Sequence, residues 1–265
     1  NQIKGLKIVK IKRLGKNILI YLTKTSNLKP KTYLLLVHQK MTGHLLYGTW
    51  NMKHGTWIPT KKGPLNDKVN KYIHVIFYLS PSERSPVGRD NGMQLALSDL
   101  RKFAKIVFGP AEEIENMPDI KKLGPDPLSK NFSLTDFKKI ISSKKKKIKE
   151  VLMDQNLISG IGNIYSDEIL WSAKVHPLRR ANDLNIRELK NIYEAIKIIL
   201  KKALKLRGTS ISDFRDTAGK SGFYAEQRYV YRKEGKPCPR CQTEIKRIKI
   251  GARSAHYCPA CQIVR

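Results

Sequence analysis

The chain has 265 residues, a length that accommodates two or three domains, each with its own hydrophobic core. Its 52 Lys and Arg residues outnumber its 22 Asp and Glu residues, which gives a formal net charge of +30 at pH 7. A hydrophobic content of 40% excludes a wholly disordered basic tail, and no apolar run reaches the ~18 residues of a membrane span, so no membrane association is expected.

The excess positive charge indicates a polyanionic partner. Each phosphate that a basic side chain neutralises releases condensed counterions, so this charge suits a polyphosphate better than a small acidic substrate. Nucleic acid is therefore the expected partner, ahead of an anionic membrane surface. One alternative stays open, namely that a lysine-rich coding bias produced the charge without a functional role.

The first hundred residues predict a series of short strands. Runs rich in β-branched, aromatic and aliphatic residues alternate with turn-forming residues, which lie at 14–15, 27–30, 61–67 and 80–92. The predicted strands lie at residues 6–11, 18–22, 33–37, 72–79 and 93–97. Short strands at this spacing are typical of a β-sandwich or barrel.

Helical periodicity begins after a turn-rich linker at residues 123–127. Between Ile186 and Leu204, apolar residues recur at the three-and-four spacing of one helical face, which predicts a long amphipathic helix. Shorter helices are predicted at residues 135–142 and 148–154. The lysine run at 144–147 fits either a solvated surface or a phosphate contact, and the pattern alone does not decide between them.

Two glycines precede another predicted helix. Gly160 and Gly162 permit backbone conformations closed to other residues, and Asn163 is predicted to be the N-cap of the helix that follows. Asp167 and Glu168 are expected in the first part of that helix, where acidic residues are favourable. The exposed amides of such a turn form an anion-binding site, although a plain helix–helix turn has the same pattern.

All four cysteines lie in two Cys-x2-Cys pairs separated by 16 residues, Cys238 with Cys241 and Cys258 with Cys261. This spacing is typical of a zinc ribbon, and four thiolates close the coordination sphere around one structural Zn²⁺. Zinc binding would supply folding free energy to the short hairpin predicted between the pairs. Two disulfides are the alternative, which the lack of an export signal disfavours.

Several motifs occur in the same order as in the bacterial formamidopyrimidine-DNA glycosylases, a family related to endonuclease VIII. They lie at residues 123–128, 153–165, 176–177, 219–224 and 230–238, and in the four-cysteine finger around Arg253. Together they resemble this family over nearly the whole chain. The resemblance implies a multidomain α+β protein with an N-terminal antiparallel β-sandwich (1–122, its N-terminal part missing), a helix–two-turns–helix domain (123–232) and a zinc finger (233–265).

The resemblance also implies an activity. Members of the family remove oxidised purines, chiefly 8-oxoguanine and formamidopyrimidines, from double-stranded DNA and nick the strand by β,δ-elimination. A base inside the stack cannot be reached, so the damaged nucleotide is extruded and protein side chains fill the gap. The implied protein is a monomer in the bacterial cytoplasm, associated with the nucleoid through damaged DNA. A non-catalytic relative that only binds duplex DNA is the alternative.

The resemblance assigns roles to five residues at the reaction centre. Lys16 matches the family lysine that binds phosphate and donates a proton in β-elimination. Arg253 matches the finger arginine that holds the phosphates beside the lesion and assists δ-elimination. Met41, Arg101 and Phe103 match the trio that fills the gap left by the extruded nucleotide. Without the resemblance, Met41 and Phe103 would be assigned to the hydrophobic core.

Four further residues are implied to bind DNA. Asn163 matches a phosphate-contacting asparagine, and Lys144 falls where the family has a DNA-binding lysine. Tyr72 replaces a phosphate-contacting histidine and can still donate a hydrogen bond. Lys220 lies in the loop at residues 217–224 that covers the extruded purine, and the glycines of this loop suit a mobile lid.

The N-terminal motif of the family has no match in this sequence. The family begins Pro-Glu-Leu-Pro-Glu, and the secondary amine of the proline attacks the sugar while the glutamate shuttles protons. This chain begins Asn1-Gln2-Ile3-Lys4. We therefore expect a fragment or a relative that has lost its chemistry, and the presence of Lys16 and Arg253 favours the fragment. In both cases the chain as given should bind damaged or abasic duplex DNA weakly and should not cleave it.

Overall fold

The computed structural model describes residues 2–24, 31–80, 92–211 and 213–264. Their contacts divide the chain into two compact units that do not follow chain order. The first unit comprises Asn1–Lys12, Asn17–Ala111 and Leu206–Ala225, and the second comprises Arg13–Lys16, Glu112–Lys205 and Glu226–Arg265. The cysteine-rich region thus groups with the helices, whereas the three-part domain division inferred from the sequence stays a prediction.

Nine strands precede the first α-helix in the described residues. They are β1 (Lys7–Leu14), β2 (Asn17–Thr23), β3 (Thr32–His38), β4 (His44–Gly48), β5 (Trp50–Lys53), β6 (Thr56–Pro59), β7 (Ile73–Tyr78), β8 (Gln94–Ser98) and β9 (Lys105–Pro110). Hydrogen bonds join them into a four-stranded sheet of order β1-β2-β3-β9, a three-stranded sheet of order β4-β8-β7 and the hairpin β5-β6. All five predicted strands are present, and the turns predicted at residues 27–30 and 81–91 lie outside the described residues.

Alternating residues of the strands build the core between the two larger sheets. Side chains two residues apart on a strand point to the same face, so each strand contributes a pair or a single residue. The buried cluster consists of Ile20, Leu22, Leu35, Val37, Leu45 and Leu97. Because β2 and β3 belong to one sheet and β4 and β8 to the other, this cluster confirms the predicted antiparallel β-sandwich. Strand β1, at the edge of the first sheet, is exposed along nearly its whole length.

Six α-helices follow in the described residues. They are α1 (Ala111–Glu115), α2 (Pro118–Lys121), α3 (Leu134–Ser142), α4 (Ile148–Met153), α5 (Asn163–Ser172) and α6 (Ile186–Lys205). The predicted long helix is confirmed as α6, and its buried stripe contains Leu189, Ile192, Ala195, Ile196, Ile199 and Ala203. Its start is capped because the amide of Glu188 donates to the side chain of Asn185 and the amide of Asn185 donates back to Glu188.

None of the described helices is both long and apolar enough to cross a membrane.

The segment between the cysteine pairs forms the predicted hairpin. Strand β10 (Lys246–Ile250) pairs antiparallel with β11 (Arg253–Tyr257), and Ile250 lies opposite Arg253. Gly251 occupies the connecting turn with a φ of 56°, a left-handed conformation that glycine adopts without steric cost. The hairpin turn therefore places Arg253 at the first position of β11.

Candidate functional site

The four cysteine sulfurs converge at the base of the hairpin. The Sγ atoms of Cys238, Cys241, Cys258 and Cys261 all lie within 4.8 Å of one another. A tetrahedral zinc–thiolate centre with bonds of about 2.3 Å separates its sulfurs by about 3.8 Å, so the cluster fits one Zn²⁺. All four cysteines are free, which excludes the two disulfides considered as the alternative. The prediction of one structural zinc ion is confirmed.

Helix α5 anchors this cluster through an aromatic side chain. The indole Nε1 of Trp171 donates to the Sγ of Cys238 at 3.3 Å. The guanidinium of Arg240, between the first two cysteines, lies 4.1 Å from the centre of the Trp171 ring, and Tyr229 stacks on the ring at 4.4 Å. Hydrogen bonds to ligating sulfurs orient a metal site, so α5 serves as the platform of the finger.

Two buried carboxylates on α5 hold the rest of the finger. Asp167 is ion-paired with Lys149 of α4 and accepts hydrogen bonds at 2.9 Å from both the amide and the ring Nδ1 of His256 in β11. Glu168 accepts the amides of residues 229–231 at 2.7–2.9 Å, and burial raises its pKa. Both carboxylates lie beyond the first turn of α5 and are buried.

Sequence analysis missed Lys149 because it lies beside a run of lysines that resembles a solvated surface. Its side chain is 1% exposed, and burial lowers its pKa while Asp167 opposes that shift. The sequence of α5, which carries the ion-pair partner Asp167, contains a pattern that could have indicated the pair. Two consecutive acids, Asp167 and Glu168, directly precede the apolar Ile169 and Leu170. Acids followed directly by core residues indicate buried partners in a protein with so many basic side chains.

The turn between β1 and β2 lies against the glycine turn before α5. A Cβ atom on Gly15 would lie 3.1 Å from the Cβ of Ser159, and one on Gly162 would lie 3.5 Å from the Nζ of Lys16. Arg13 fixes this turn by donating to the carbonyl of Gly15 at 3.0 Å and by pairing with Asp126. The small size of Gly162 therefore makes room for the Lys16 ammonium at the start of α5.

The cap of α5 differs from the prediction by one residue. Gly162 is the N-cap, with extended φ and ψ of −121° and −174°, and Asn163 is the first helical residue. Glycine adopts the extended conformation required there, and no side chain caps the free amides of the first turn. The Oδ1 of Asn163 is buried without a hydrogen-bond partner. The helix start thus retains unsatisfied polar groups beside Lys16.

Electrostatic coupling places Arg253 near the same point. Although Lys16 as a whole residue is exposed, desolvation of its ammonium and the positive charge of Arg253 both lower its pKa. Arg253 also contributes to lowering the pKa of Lys149, after burial. Lys16 and Asn163 therefore lie at the N-terminus of α5, and Arg253, which belongs to the same second unit, acts on Lys16 through its charge.

The residues assigned to gap filling lie in the first unit. Met41 is 63% and Phe103 56% exposed, so the assignment of both to the core is wrong, and the guanidinium of Arg101 lies 4.9 Å from the centre of the Phe103 ring. The buried Asp99 holds their two loops together, because its carboxylate accepts the Thr42 hydroxyl and the amides of residues 101 and 104. Exposed apolar side chains on anchored loops are available to insert into a partner.

The remaining predicted residues are dispersed. Lys144, half-buried, follows α3 in the second unit, and Tyr72 precedes β7 with Lys71 against its ring at 5.3 Å. Lys220 is exposed in the 217–224 loop of the first unit. The glycines of this loop permit close packing, since a Cβ on Gly219 would lie 2.8 Å from Asn70 Nδ2.

Family models match three parts of the chain. The formamidopyrimidine-DNA glycosylase N-terminal domain matches residues 1–106, the formamidopyrimidine-DNA glycosylase H2TH domain matches 123–215, and the zinc finger found in FPG and IleRS matches 235–263.

Curated relatives and solved structures of the same family are similar to this chain over most of its length. The formamidopyrimidine-DNA glycosylase of Desulforamulus reducens is 38% identical over 253 residues, covering 96% of this chain and 80% of the relative. That of Pelotomaculum thermopropionicum is 38% identical over 259 residues, covering 98% and 82%. The Lactococcus lactis Fpg, solved in complex with abasic-site DNA, is 30% identical with a TM-score of 0.77 and covers 98% of this chain and 83% of that one. The chain belongs to the formamidopyrimidine-DNA glycosylase family of DNA repair enzymes.

Proposed function

We propose that this protein acts in base-excision repair as a glycosylase and abasic-site lyase. It removes oxidised purines, chiefly 8-oxoguanine and formamidopyrimidines, from duplex DNA and nicks the strand by β,δ-elimination. Similar structures support this substrate class, since Lactococcus lactis Fpg was solved with abasic-site DNA and with Fapy-dG DNA. A third similar structure is MutM in complex with DNA that contains carbocyclic 8-oxo-G.

The observation that carries the proposal is the cationic cluster at the start of α5. Burial of the ammonium and, after it, the positive charge of Arg253 lower the pKa of Lys16, and an anion bound beside both side chains would offset both effects. The uncapped amides of the first turn add partial positive charge at the same place. DNA phosphates beside a lesion are the anions that this cluster suits, with Asn163 as a further phosphate contact.

The exposed trio of the first unit would fill the gap in the duplex. Extruding a nucleotide leaves its neighbours unstacked, and apolar or planar side chains replace the lost stacking. Met41 and Phe103 provide apolar surface, and Arg101 adds a planar cation stacked on Phe103. We assign Tyr72 and Lys144 to contacts with the DNA backbone and Lys220 to the loop over the extruded purine.

The proposed chemistry assigns separate tasks to the residues of this chain. Lys16 binds a phosphate and supplies a proton during β-elimination, and Arg253 holds phosphates and assists δ-elimination. The family's nucleophile is the amine of an N-terminal proline, and these 265 residues contain no Pro-Glu-Leu-Pro-Glu motif. We propose that this chain, produced as printed, binds damaged duplex without cleaving it. We further propose a monomer that acts on DNA in the bacterial cytoplasm at the nucleoid.

Borohydride trapping tests both parts of the proposal. The printed chain and a chain preceded by the family's N-terminal segment are each incubated with abasic-site duplex and sodium borohydride, which reduces a Schiff base to a stable covalent complex. We expect no complex with the printed chain and a complex with the extended one. A complex with the printed chain would contradict its inactivity, and no complex with the extended chain would contradict the enzymatic assignment and favour a non-catalytic DNA-binding relative.

A further inference from the structure

Four buried polar residues form a connected set in the first unit. Thr42, His44, Asn70 and Asp99 are each 1–5% exposed. A buried polar group is costly unless it is hydrogen-bonded, so a chain of such residues through a sandwich requires a compensating network. The network here joins the two gap-filling loops to the loop at residues 217–224.

One end of the network holds the gap-filling loops. The carboxylate of Asp99 accepts the hydroxyl of Thr42 and the amide of Ala104, the latter at 2.7 Å. The amide of Arg101 donates to the same carboxylate at 3.3 Å and to the Thr42 hydroxyl at 3.2 Å. Because Met41 precedes Thr42 directly, Asp99 sets the positions of both loops together.

The centre of the network is the pair formed by His44 and Asn70. The Nδ2 of Asn70 donates to the carbonyls of Pro64 at 2.9 Å and Gly219 at 3.3 Å, which fixes the orientation of the amide. Its Oδ1 therefore faces the His44 Nε2 at 2.9 Å, and the ring donates from that nitrogen. The other ring nitrogen lies 3.1 Å from the carbonyl of Thr42, and a single residue separates Thr42 from His44 in the chain.

The other end of the network holds the loop at residues 217–224. Gly219 lies directly on Asn70, since a Cβ atom there would be 2.8 Å from Asn70 Nδ2 and 2.9 Å from the carbonyl of Pro64. The amide of Tyr47 in β4 donates to the carbonyl of Thr217 at 2.7 Å. The loop backbone is therefore seated on Asn70, at the opposite end of the network from Asp99, which holds the gap-filling loops.

We propose that His44 and Asn70 are positioning residues that couple the gap-filling loops to the loop over the extruded purine. Rotation of Asn70 to release Gly219 also breaks its bond to His44, and displacement of Thr42 disturbs His44 from the other side. Hydrogen bonds in a low-dielectric interior reinforce one another, so each loop is held more firmly while the other is in place. The meaning of this coupling for repair rests on the proposed function.

Hydrogen exchange measured by mass spectrometry on the DNA-free chain tests the coupling without depending on the enzymatic assignment. Asn70→Ala removes the link at the 217–224 loop, and Thr42→Val removes the link at Asp99 while keeping the side-chain shape. We expect each variant to raise exchange by about fivefold or more in both peptides, 99–104 and 214–222, as expected for loss of a buried hydrogen bond. If Asn70→Ala fails to fold, Thr42→Val still provides the test through peptide 214–222.

The control is Gln94→Leu, which removes another buried polar side chain of the same unit. Gln94 bonds the amide and carbonyl of Trp50 and has no part in the network. In the Gln94→Leu protein, the hydrogen-exchange rates of peptides 99–104 and 214–222 should stay close to those of the unmodified chain. The effects of Asn70→Ala and Thr42→Val should also be non-additive in the double variant, which two independent local losses would not produce. Variants that change only the loop they touch, with additive effects, would overturn the proposal.

Discussion

Asp167 and Lys149 form an ion pair whose side chains are 0% and 1% exposed. The same carboxylate accepts two hydrogen bonds from His256, so one side chain joins α4, α5 and β11. Removing one member of a buried pair leaves the other charge unpaired at low dielectric, which costs much more than losing an exposed pair. Asp167 is therefore the residue on which the attachment of the finger hairpin depends most.

We predict that Asp167→Ala lowers the free energy of unfolding by about 3–5 kcal/mol, the loss typical of an interrupted buried pair. Lys190→Ala is the control, because Lys190 and Glu194 form an exposed pair one helical turn apart, worth at most about 0.5 kcal/mol. Urea denaturation followed by circular dichroism measures both variants. Equal, small losses would show that Asp167 is not an anchor.

The pKa of Lys16 reports its proximity to Arg253. Because the charge of Arg253 contributes to lowering that pKa, Arg253→Gln should raise it toward the usual value of about 10.4. NMR of ¹³C-methylated lysines measures the change. Arg247→Gln is the control, since Arg247 lies in the adjacent strand and pairs with Glu234. A Lys16 pKa that is unchanged in Arg253→Gln would contradict the proximity of Lys16 and Arg253.

The direction of this shift also sets a pH dependence. The phosphate contact proposed for Lys16 requires its protonated ammonium, and burial together with the charge of Arg253 holds its pKa in the folded protein below the usual value. The charge is therefore fully present below the lowered pKa and is lost as the pH rises through it. In the same titration series, the affinity for DNA should begin to fall at a lower pH than an ordinary lysine would allow.

At the scale of elements, helix α5 connects the glycine turn to the zinc finger. Its N-cap Gly162 lies beside Lys16, its middle carries Asp167 and Glu168, and its last turn carries Trp171 against a cysteine sulfur. One short helix thus fixes both the start of the cationic cluster and the base of the hairpin that carries Arg253. Order in the hairpin should therefore depend on the zinc ion and on α5 together.

We predict that removal of zinc disorders the finger and leaves the sandwich folded. A segment of this size buries too little apolar surface to fold alone, so the metal supplies much of its folding free energy. Hydrogen exchange should rise in β10 and β11 after chelation or in Cys258→Ser, and DNA affinity should fall. Strands β2 and β3 provide the internal control. A Cys258→Ser protein with a protected hairpin and unchanged DNA binding would contradict the prediction.

Elements with a regular spacing of apolar residues could be predicted from the sequence, and elements stabilised by partners distant in sequence could not. Strand β2 and helix α6 show clear patterns because one face of each lies in the core. Helix α5 buries Ser166, Asp167 and Glu168, so its polar face does not indicate the solvent side. Its partners lie about 60 to 90 residues away in sequence for the finger contacts. Strands β5 and β6 have only four residues each, too few for a reliable alternation.

At the scale of the molecule, each of the two units is built from three segments that are not contiguous in the chain. The turn at Arg13–Lys16 groups with the helices, and Leu206–Ala225 groups with the strands. These two segments carry Lys16 and Lys220, which were assigned from motifs near opposite ends of the chain. Motif resemblance could identify both residues, but the tertiary contacts of Gly15 and Gly219 decide which unit each joins.

The net charge of +30 also acts at this scale, since it draws the protein toward any nucleic acid. Charge alone does not distinguish duplex DNA from structured RNA. The roles proposed for the cationic cluster at α5 and for the exposed trio on the sandwich predict such a distinction, because both would suit a duplex with a missing or extruded base. Preference among nucleic acids therefore separates specific recognition from general attraction.

Competition binding tests the central claim most directly. A labelled abasic-site duplex is bound to the chain at physiological salt and displaced by unlabelled abasic duplex, undamaged duplex or a structured RNA of equal length. We predict that abasic duplex displaces the probe at a concentration at least about tenfold lower than either competitor, a small part of the usual gap between specific and non-specific binding. Displacement by structured RNA at an equal or lower concentration would contradict the assignment to DNA repair.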